Sequence, residues 1–170
     1  MSFAVWLTGL SGSGKSAVAK ALLPSLHARG VAVAVLESDV LRTQLTPYPR
    51  YDEGERDFFY RSIADFGAYL VNHVAVIFDA TANRRAYRER ARASIGRFAE
   101  VYVSTPLEVC AARDTKGLYR KGATRTLPGM QAPYEAPLTP ELVISGDRGT
   151  PEDGAAEIVA LLERRGWLKA

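Results

Sequence analysis

Short apolar runs alternate along the chain with longer stretches whose apolar residues recur at helical spacing. Residues 3–7, Phe-Ala-Val-Trp-Leu, form an unbroken apolar run, as expected of a parallel strand covered on both faces. A glycine-rich turn follows, then a helix over 16–29 that Gly30 stops. Residues 31–36 read as a second strand ending in the polar triplet Glu37-Ser38-Asp39. Two prolines make Thr46-Pro47-Tyr48-Pro49-Arg50 a loop. Phe59, Ile63, Phe66 and Leu70 lay a helical stripe along 53–72. A third strand is predicted over 74–78, closed by Asp79, then an arginine-rich helix over 84–98 and a fourth strand over 100–104. Pro106 opens a helix over 107–113. No period survives from 114 to 140, and so long an irregular stretch reads as a lid or binding loop. A last strand over 141–144 and a closing helix over 151–165 complete the pattern. Alternating strands and helices, with no repeat and no linker, predict one α/β domain over 1–170 in three α/β/α layers, its five-stranded sheet parallel.

Composition narrows the class. At 170 residues, 47% hydrophobic and 24% charged, the chain is globular; disordered, collagen-like and coiled-coil readings are excluded. Its single cysteine, Cys110, excludes a disulfide scaffold and a Cys-rich zinc site. No apolar run approaches the ~20 residues of a membrane span, and the N-terminus lacks the basic region of a signal peptide, so a cytoplasmic protein is expected. Lys and Arg number 22 against 19 acidic residues, and a net +3 is too small for a nucleic-acid footprint. The excess is mostly arginine, suited to bidentate contact with small anions.

The chemistry begins at Gly9-Leu10-Ser11-Gly12-Ser13-Gly14-Lys15-Ser16, which fits G-x-x-x-x-G-K-[ST] between an apolar strand and a helix. Glycines let backbone N–H groups curl around a phosphate, and the helix N-terminus adds positive potential. These eight residues with Ala17 are the candidate ATP-binding element: Lys15 reaches the β/γ-phosphates and the Ser16 hydroxyl ligates Mg²⁺. Asp39 and Asp79 end two strands on the edge where ligands of open parallel sheets bind. Either carboxylate can hold Mg²⁺ or take a proton from an attacking hydroxyl. Asp39, with Arg42 three residues on, is favoured for the acceptor and Asp79 as the metal carboxylate, although the two roles are interchangeable. Arg42 and Arg56, with Tyr48 and Tyr51 between them, suit an acceptor carrying an anion and a flat ring. Arg84, Arg85, Arg88, Arg90 and Arg92 read mainly as a solvated helix face, with Arg88 and Arg92 sharing one stripe. Arg113 stands at a helix end on the phosphate side, where it can stack on a base or offset transition-state charge. Lys116, Arg120 and Lys121 form a cationic cover that would exclude water. Cys110 reads as packing, and neither His27 nor His73 is given a role.

The phosphate loop, Pro106-Leu-Glu-Val-Cys110, Arg113-Asp-Thr-Lys-Gly-Leu-Tyr119 and Pro133-Tyr-Glu-Ala-Pro137 together resemble the adenylylsulfate kinase family, in the same order over nearly the whole chain. The resemblance implies a P-loop kinase fold with a basic lid, and transfer of the γ-phosphate of MgATP to the 3′-hydroxyl of adenylylsulfate. Taken together with the reading of the residues themselves, Lys15, Asp39, Arg113 and Lys116 would be catalytic; Asp39, Arg42, Tyr51, Arg56, Lys116 and Leu127 would bind the acceptor; Ser16, Asp39 and Asp79, the last on its strand-end position alone, would hold the metal. The partner is a small anionic substrate, with neither nucleic acid nor membrane, and a homodimer is compatible with it. The departures lie on the acceptor side. Glu37-Ser-Asp39-Val-Leu-Arg42 keeps only the second aspartate and the arginine of the family's Asp-Gly-Asp-Asn-x-Arg. Phe59 stands for an asparagine, Tyr51 for a phenylalanine, Leu127 for a lid aromatic, and Asp79-Ala-Thr-Ala-Asn83 for Ser-Phe-Ile-Ser-Pro. Two alternatives stay open: a kinase of another nucleotide-like, sugar or polynucleotide hydroxyl, and a nucleotide-binding switch without phosphotransfer.

Overall fold

The computed structural model describes residues 2–114, 116–120, 127–130 and 132–169; Lys121 of the expected cover lies outside them. Strands β1 (Ala4–Thr8), β2 (Val33–Glu37), β3 (Ala75–Asp79), β4 (Phe98–Ser104) and β5 (Leu142–Ser145) form one parallel sheet in the order β2-β3-β1-β4-β5. Helices α1 (Lys15–Ala28), α2 (Ser38–Leu45), α3 (Glu53–Leu70), α4 (Arg85–Ser94), α5 (Leu107–Arg113) and α6 (Pro151–Arg164) connect and cover it.

Strand alternation builds both outer layers. Val5 and Leu7 of β1 face a core with Leu22 and Leu26 of α1 and Ile158 and Leu162 of α6. Ala4 and Trp6 point the other way, onto Phe59 and Ile63 of α3 and Tyr87 and Ala91 of α4. Burial on both faces explains why β1 and β3 read as continuous apolar runs. Trp6 stacks on Phe78 at 4.3 Å and donates its indole N–H to the Ala80 carbonyl at 3.0 Å, so the largest core side chain leaves no polar group unpaired. Gly67 of α3 is required here, because a Cβ would lie 2.1 Å from Phe78 Cζ.

Local capping sets several helix ends. Asp52 accepts from the Glu55 amide at the start of α3, and Thr150 and Asp153 form a reciprocal capping box at the start of α6, with Pro151 in the first turn. The two largest differences from the sequence reading are an added helix and an earlier helix end. Residues 38–45 form a helix, since Ser38 and Asp39 open a turn that runs until Thr46 and Pro47 halt it. Helix α4 ends at Ser94, because Ile95 turns extended, and Phe98 and Ala99 join β4 beside Ala4 and Val5. All five strands end on one edge, at Thr8, Glu37, Asp79, Ser104 and Ser145. Among the described residues no helix is long and apolar enough to cross a membrane.

Candidate active site

At that edge lies a cleft of about 680 Å³. Its floor is the loop between β1 and α1. Gly9, with φ +149°, passes so close to β4 that a Cβ would lie 2.4 Å from the Val103 carbonyl oxygen; Gly14, with φ +109°, begins α1 in a left-handed conformation. Ser11, Gly12, Gly14, Lys15, Ser16 and Ala17 line the cleft. Gly9, Leu10 and Ser13 support it from behind: Thr105 donates to the Ser13 carbonyl at 2.8 Å, and a Cβ on Gly129 would strike Leu10. The Ser13 hydroxyl is buried without a partner among the described residues.

Lys15 is buried, and its Nζ donates to the loop's own carbonyls at Gly9 (3.0 Å) and Leu10 (2.8 Å). Burial lowers its pKa from 10.5 to about 8, and Lys116 adds to the fall, while Asp79 and Asp39 oppose it. Asp79, the last residue of β3, is buried in the cleft. A side cavity of about 30 Å³ is lined by Ser16, Glu37 and Asp79, and also by Lys20, Ala19, Leu23 and Val35. The Ser16 hydroxyl and the Asp79 carboxylate, which line the main cleft as well, are hard oxygen donors that fit Mg²⁺, which uses one or two carboxylates and takes its other ligands from water and phosphate. Among the described residues there is no cluster of three or more His, Cys, Asp or Glu that could hold a metal ion.

The opposite wall comes from α2 and α3. Arg42 and Arg56 are both buried and line the cleft with Tyr51. Arg42 donates to Glu55 at 3.0 Å, and its guanidinium lies 4.1 Å from the Phe59 ring and 5.3 Å from Tyr51. Glu55, which sequence reasoning missed, also accepts from the Arg50 and Tyr51 amides and so shapes this loop. Tyr48 does not join the constellation; it is 92% exposed. Phe59 packs beneath Arg42 in the core, whereas Leu127 does line the cleft.

The first part of the expected lid is tied onto both walls. Arg113 donates to the Gly12 carbonyl (3.3 Å) and the Gly146 carbonyl (2.8 Å). Tyr119 donates to Ser11 at 2.6 Å, and burial pushes its hydroxyl up to about 12. Lys116 pairs with Asp39 at the start of α2. Ser145, Gly146, Arg148 and Thr150 extend the rim; their position after the last strand was the available signal for them.

The arginine helix corrects the sequence reading. Arg88 and Arg92 do share a face, but it turns onto the carboxylates of Glu100 and Glu141, with Arg88 buried and Arg92 half-buried, and neither lines the cleft. Arg88 is fully buried on Glu100 at 2.5 Å, and Arg92 contacts Glu141 at 2.7 Å and Glu100 at 3.2 Å. Burial alone would raise the Glu141 carboxyl, but hydrogen bonds from Arg92 and the Glu100 amide hold it below the usual range. Arg84 and Arg90 reach Glu53 and Asp65 on α3. The outward arginines are therefore mostly paired.

A glycine loop at a helix start, backed by a lysine, a hydroxyl and a strand-end carboxylate and covered by cationic residues, defines a P-loop phosphotransferase. The family profile for adenylylsulphate kinase matches residues 1–145. The adenylyl-sulfate kinase of Microcystis aeruginosa is 39% identical over 168 residues, covering 96% of this chain and 93% of the relative. That of Rippkaea orientalis is 40% identical with the same coverage. The structure of the Mycobacterium tuberculosis APS kinase in complex with AMPPNP and APS superposes with a TM-score of 0.87 at 32% identity, over 95% of this chain and 98% of that one. The chain belongs to the adenylylsulphate kinase family.

Proposed function

We propose that the protein transfers the γ-phosphate of ATP to the 3′-hydroxyl of adenylylsulfate, giving 3′-phosphoadenylylsulfate and ADP. The observation that carries this reading is that one cleft joins a phosphate loop to a buried two-arginine wall, with Arg113 bonded to Gly12 of the loop and Lys116 paired with Asp39 at the start of α2. An anionic donor and an anionic acceptor would meet between them.

Lys15 would leave the Gly9 and Leu10 carbonyls for the β/γ-phosphates, where the ammonium regains an anionic partner. Ser16 and Asp79 would hold Mg²⁺, which when bound supplies charge neutralisation along the triphosphate. Asp39, on the acceptor side, would orient the hydroxyl and take its proton; that oxygen bonds to the γ-phosphorus as the bond to the bridging oxygen breaks. Arg113 and Lys116 would offset the charge on the transferring group. Arg42, Arg56, Tyr51 and Leu127 would hold the sulfate and adenine ends of the acceptor. M. tuberculosis APS kinase bound to AMPPNP and APS supports a two-ligand cleft of this kind.

The decisive assay follows labelled γ-phosphate to adenylylsulfate, nucleosides, sugars and oligonucleotide ends in parallel. Product from adenylylsulfate is expected. Transfer to a different acceptor alone would refute the substrate, and ATP turnover indifferent to every acceptor would refute the kinase. The same proposal includes a cytoplasmic single domain and a homodimer, the latter supported by the apolar surface that Phe58, Phe66 and Tyr69 expose on α3.

A further inference from the structure

The chain leaves β3 through residues 80–83 without regular structure, yet its backbone is pinned from several directions. The Ala80 carbonyl accepts from Trp6 at 3.0 Å and the Thr81 carbonyl from the Thr8 hydroxyl at 2.7 Å. The Ala82 amide donates to the Tyr60 hydroxyl at 3.2 Å. Ala82 itself sits at φ +43°, a left-handed conformation that is unfavourable for a residue with a side chain. Such a turn persists only where its surroundings hold it.

The arm that returns from the lid is held to the same turn. Asn83 donates its side-chain amide to the Pro133 carbonyl at 3.1 Å, and the Glu135 amide donates to the Asn83 carbonyl at 2.8 Å. Between them, the Tyr134 hydroxyl meets that of Thr8 at 3.0 Å, one residue before the phosphate loop. Burial pushes the Tyr134 hydroxyl up to about 12, so it remains a neutral hydrogen-bonding group.

One side chain links the two segments from below. Arg88 of α4, 0% exposed, donates Nε to Glu100 at 2.5 Å, Nη1 to the Ala82 carbonyl, and Nη2 to the Glu135 carbonyl at 2.7 Å. Glu100 and Glu141, with Arg92, complete a charge-balanced group, so the guanidinium is buried with its counter-charge. Arg88 touches none of the cleft. Thr81 and Asn83, which it fixes, do line the cleft, and Tyr60 connects them to the wall carrying Arg42.

We infer that Arg88 is a positioning residue for the acceptor substrate: one buried guanidinium sets the turn after β3 and the returning arm of the lid in register, and so shapes the acceptor end of the cleft. This rests on the reading of adenylylsulfate as acceptor. The nucleotide end, built from the phosphate loop, Arg113 and the 145–150 rim, depends on other bonds. Loss of the Arg88 clamp therefore acts on one substrate and spares the other.

Arg88→Lys is the test, because lysine keeps the charge opposite Glu100 but is a point donor unable to span the three acceptors. Steady-state kinetics should show KM for adenylylsulfate raised at least about tenfold with KM for ATP within about twofold. Tyr134→Phe, which removes only the hydroxyl tie to Thr8, should move the same ratio in the same direction and serves alone if Arg88→Lys does not fold. Equal changes in both constants, or none, would overturn the assignment while leaving the function intact. A wild-type protein inactive on adenylylsulfate would overturn both.

Discussion

The depressed pKa of Lys15 makes a quantitative prediction about ATP capture. A fall from 10.5 to about 8 is some 2.5 units, about 3 kcal/mol at roughly 1.36 kcal/mol per unit, set against the ammonium by burial. At pH 7 about nine-tenths of the free protein then carries the charged lysine, and at pH 9 about one-tenth. Since kcat/KM reports the free enzyme, kcat/KM for ATP should fall close to tenfold per pH unit above about 8. Under saturating ATP the phosphates favour the ammonium, so the corresponding limb in kcat should lie at higher pH. Asp79 is the leading influence that raises this pKa, so Asp79→Asn should move the limb in kcat/KM to lower pH. Stability runs the other way: the cost of the buried charge is present below pH 8 and is relieved as pH rises from 8 to 10.5, where the unfolded chain binds the extra proton. The assay is initial rate against ATP from pH 6.5 to 10 with saturating acceptor. A profile flat to pH 9.5, or a limb unmoved in Asp79→Asn, would refute the buried-ammonium account.

Two other perturbations separate catalysis from packing. Asp39→Asn breaks an exposed ion pair with Lys116 that is worth only about 0–1 kcal/mol to stability, so the melting temperature should hold. If Asp39 takes the hydroxyl proton, kcat should fall about 100-fold or more with KM for ATP little changed, and an unaltered kcat would remove the role. Gly67→Ala should do the opposite. It improves helix propensity by about 1 kcal/mol but drives a Cβ against Phe78, which is itself stacked on buried Trp6. Overpacking costs roughly 1–3 kcal/mol or more, so calorimetry should find a melting temperature several degrees lower; a rise would show that Phe78 can yield.

What was legible in the sequence was whatever contiguous residues determine. The phosphate loop is one such stretch: its glycines, lysine and serine act within eight residues, and the strand before and helix after follow from local pattern. Asp79 was legible for a related reason, since an apolar run ending in a carboxylate places that carboxylate on the sheet edge. Helix α2 was missed because Ser38 and Asp39 end a strand as plausibly as they open a helix, and only the chain's turn back over the sheet decides between them. The misreading of Arg88 and Arg92 is more instructive. Spacing correctly put them on one face, but an arginine stripe becomes a solvated face or a buried clamp according to its partners. Those partners, Glu100 and Glu141, lie 12 and 49 residues away and reach α4 only through strand order. A helix rich in charge can therefore turn charged residues inward when carboxylates carried by the sheet meet them, and hydrophobic periodicity has no means of registering it. The wall proposed for the acceptor is built from pairings between separate elements: Arg42 with Glu55, Lys116 with Asp39, Asn83 with Pro133, and Arg88 with the turn and the returning arm. The phosphate loop itself is local in sequence, but Arg113 and Tyr119 reach it from 101 and 108 residues away, so the cleft as a whole becomes legible only once the folded chain brings separate elements together.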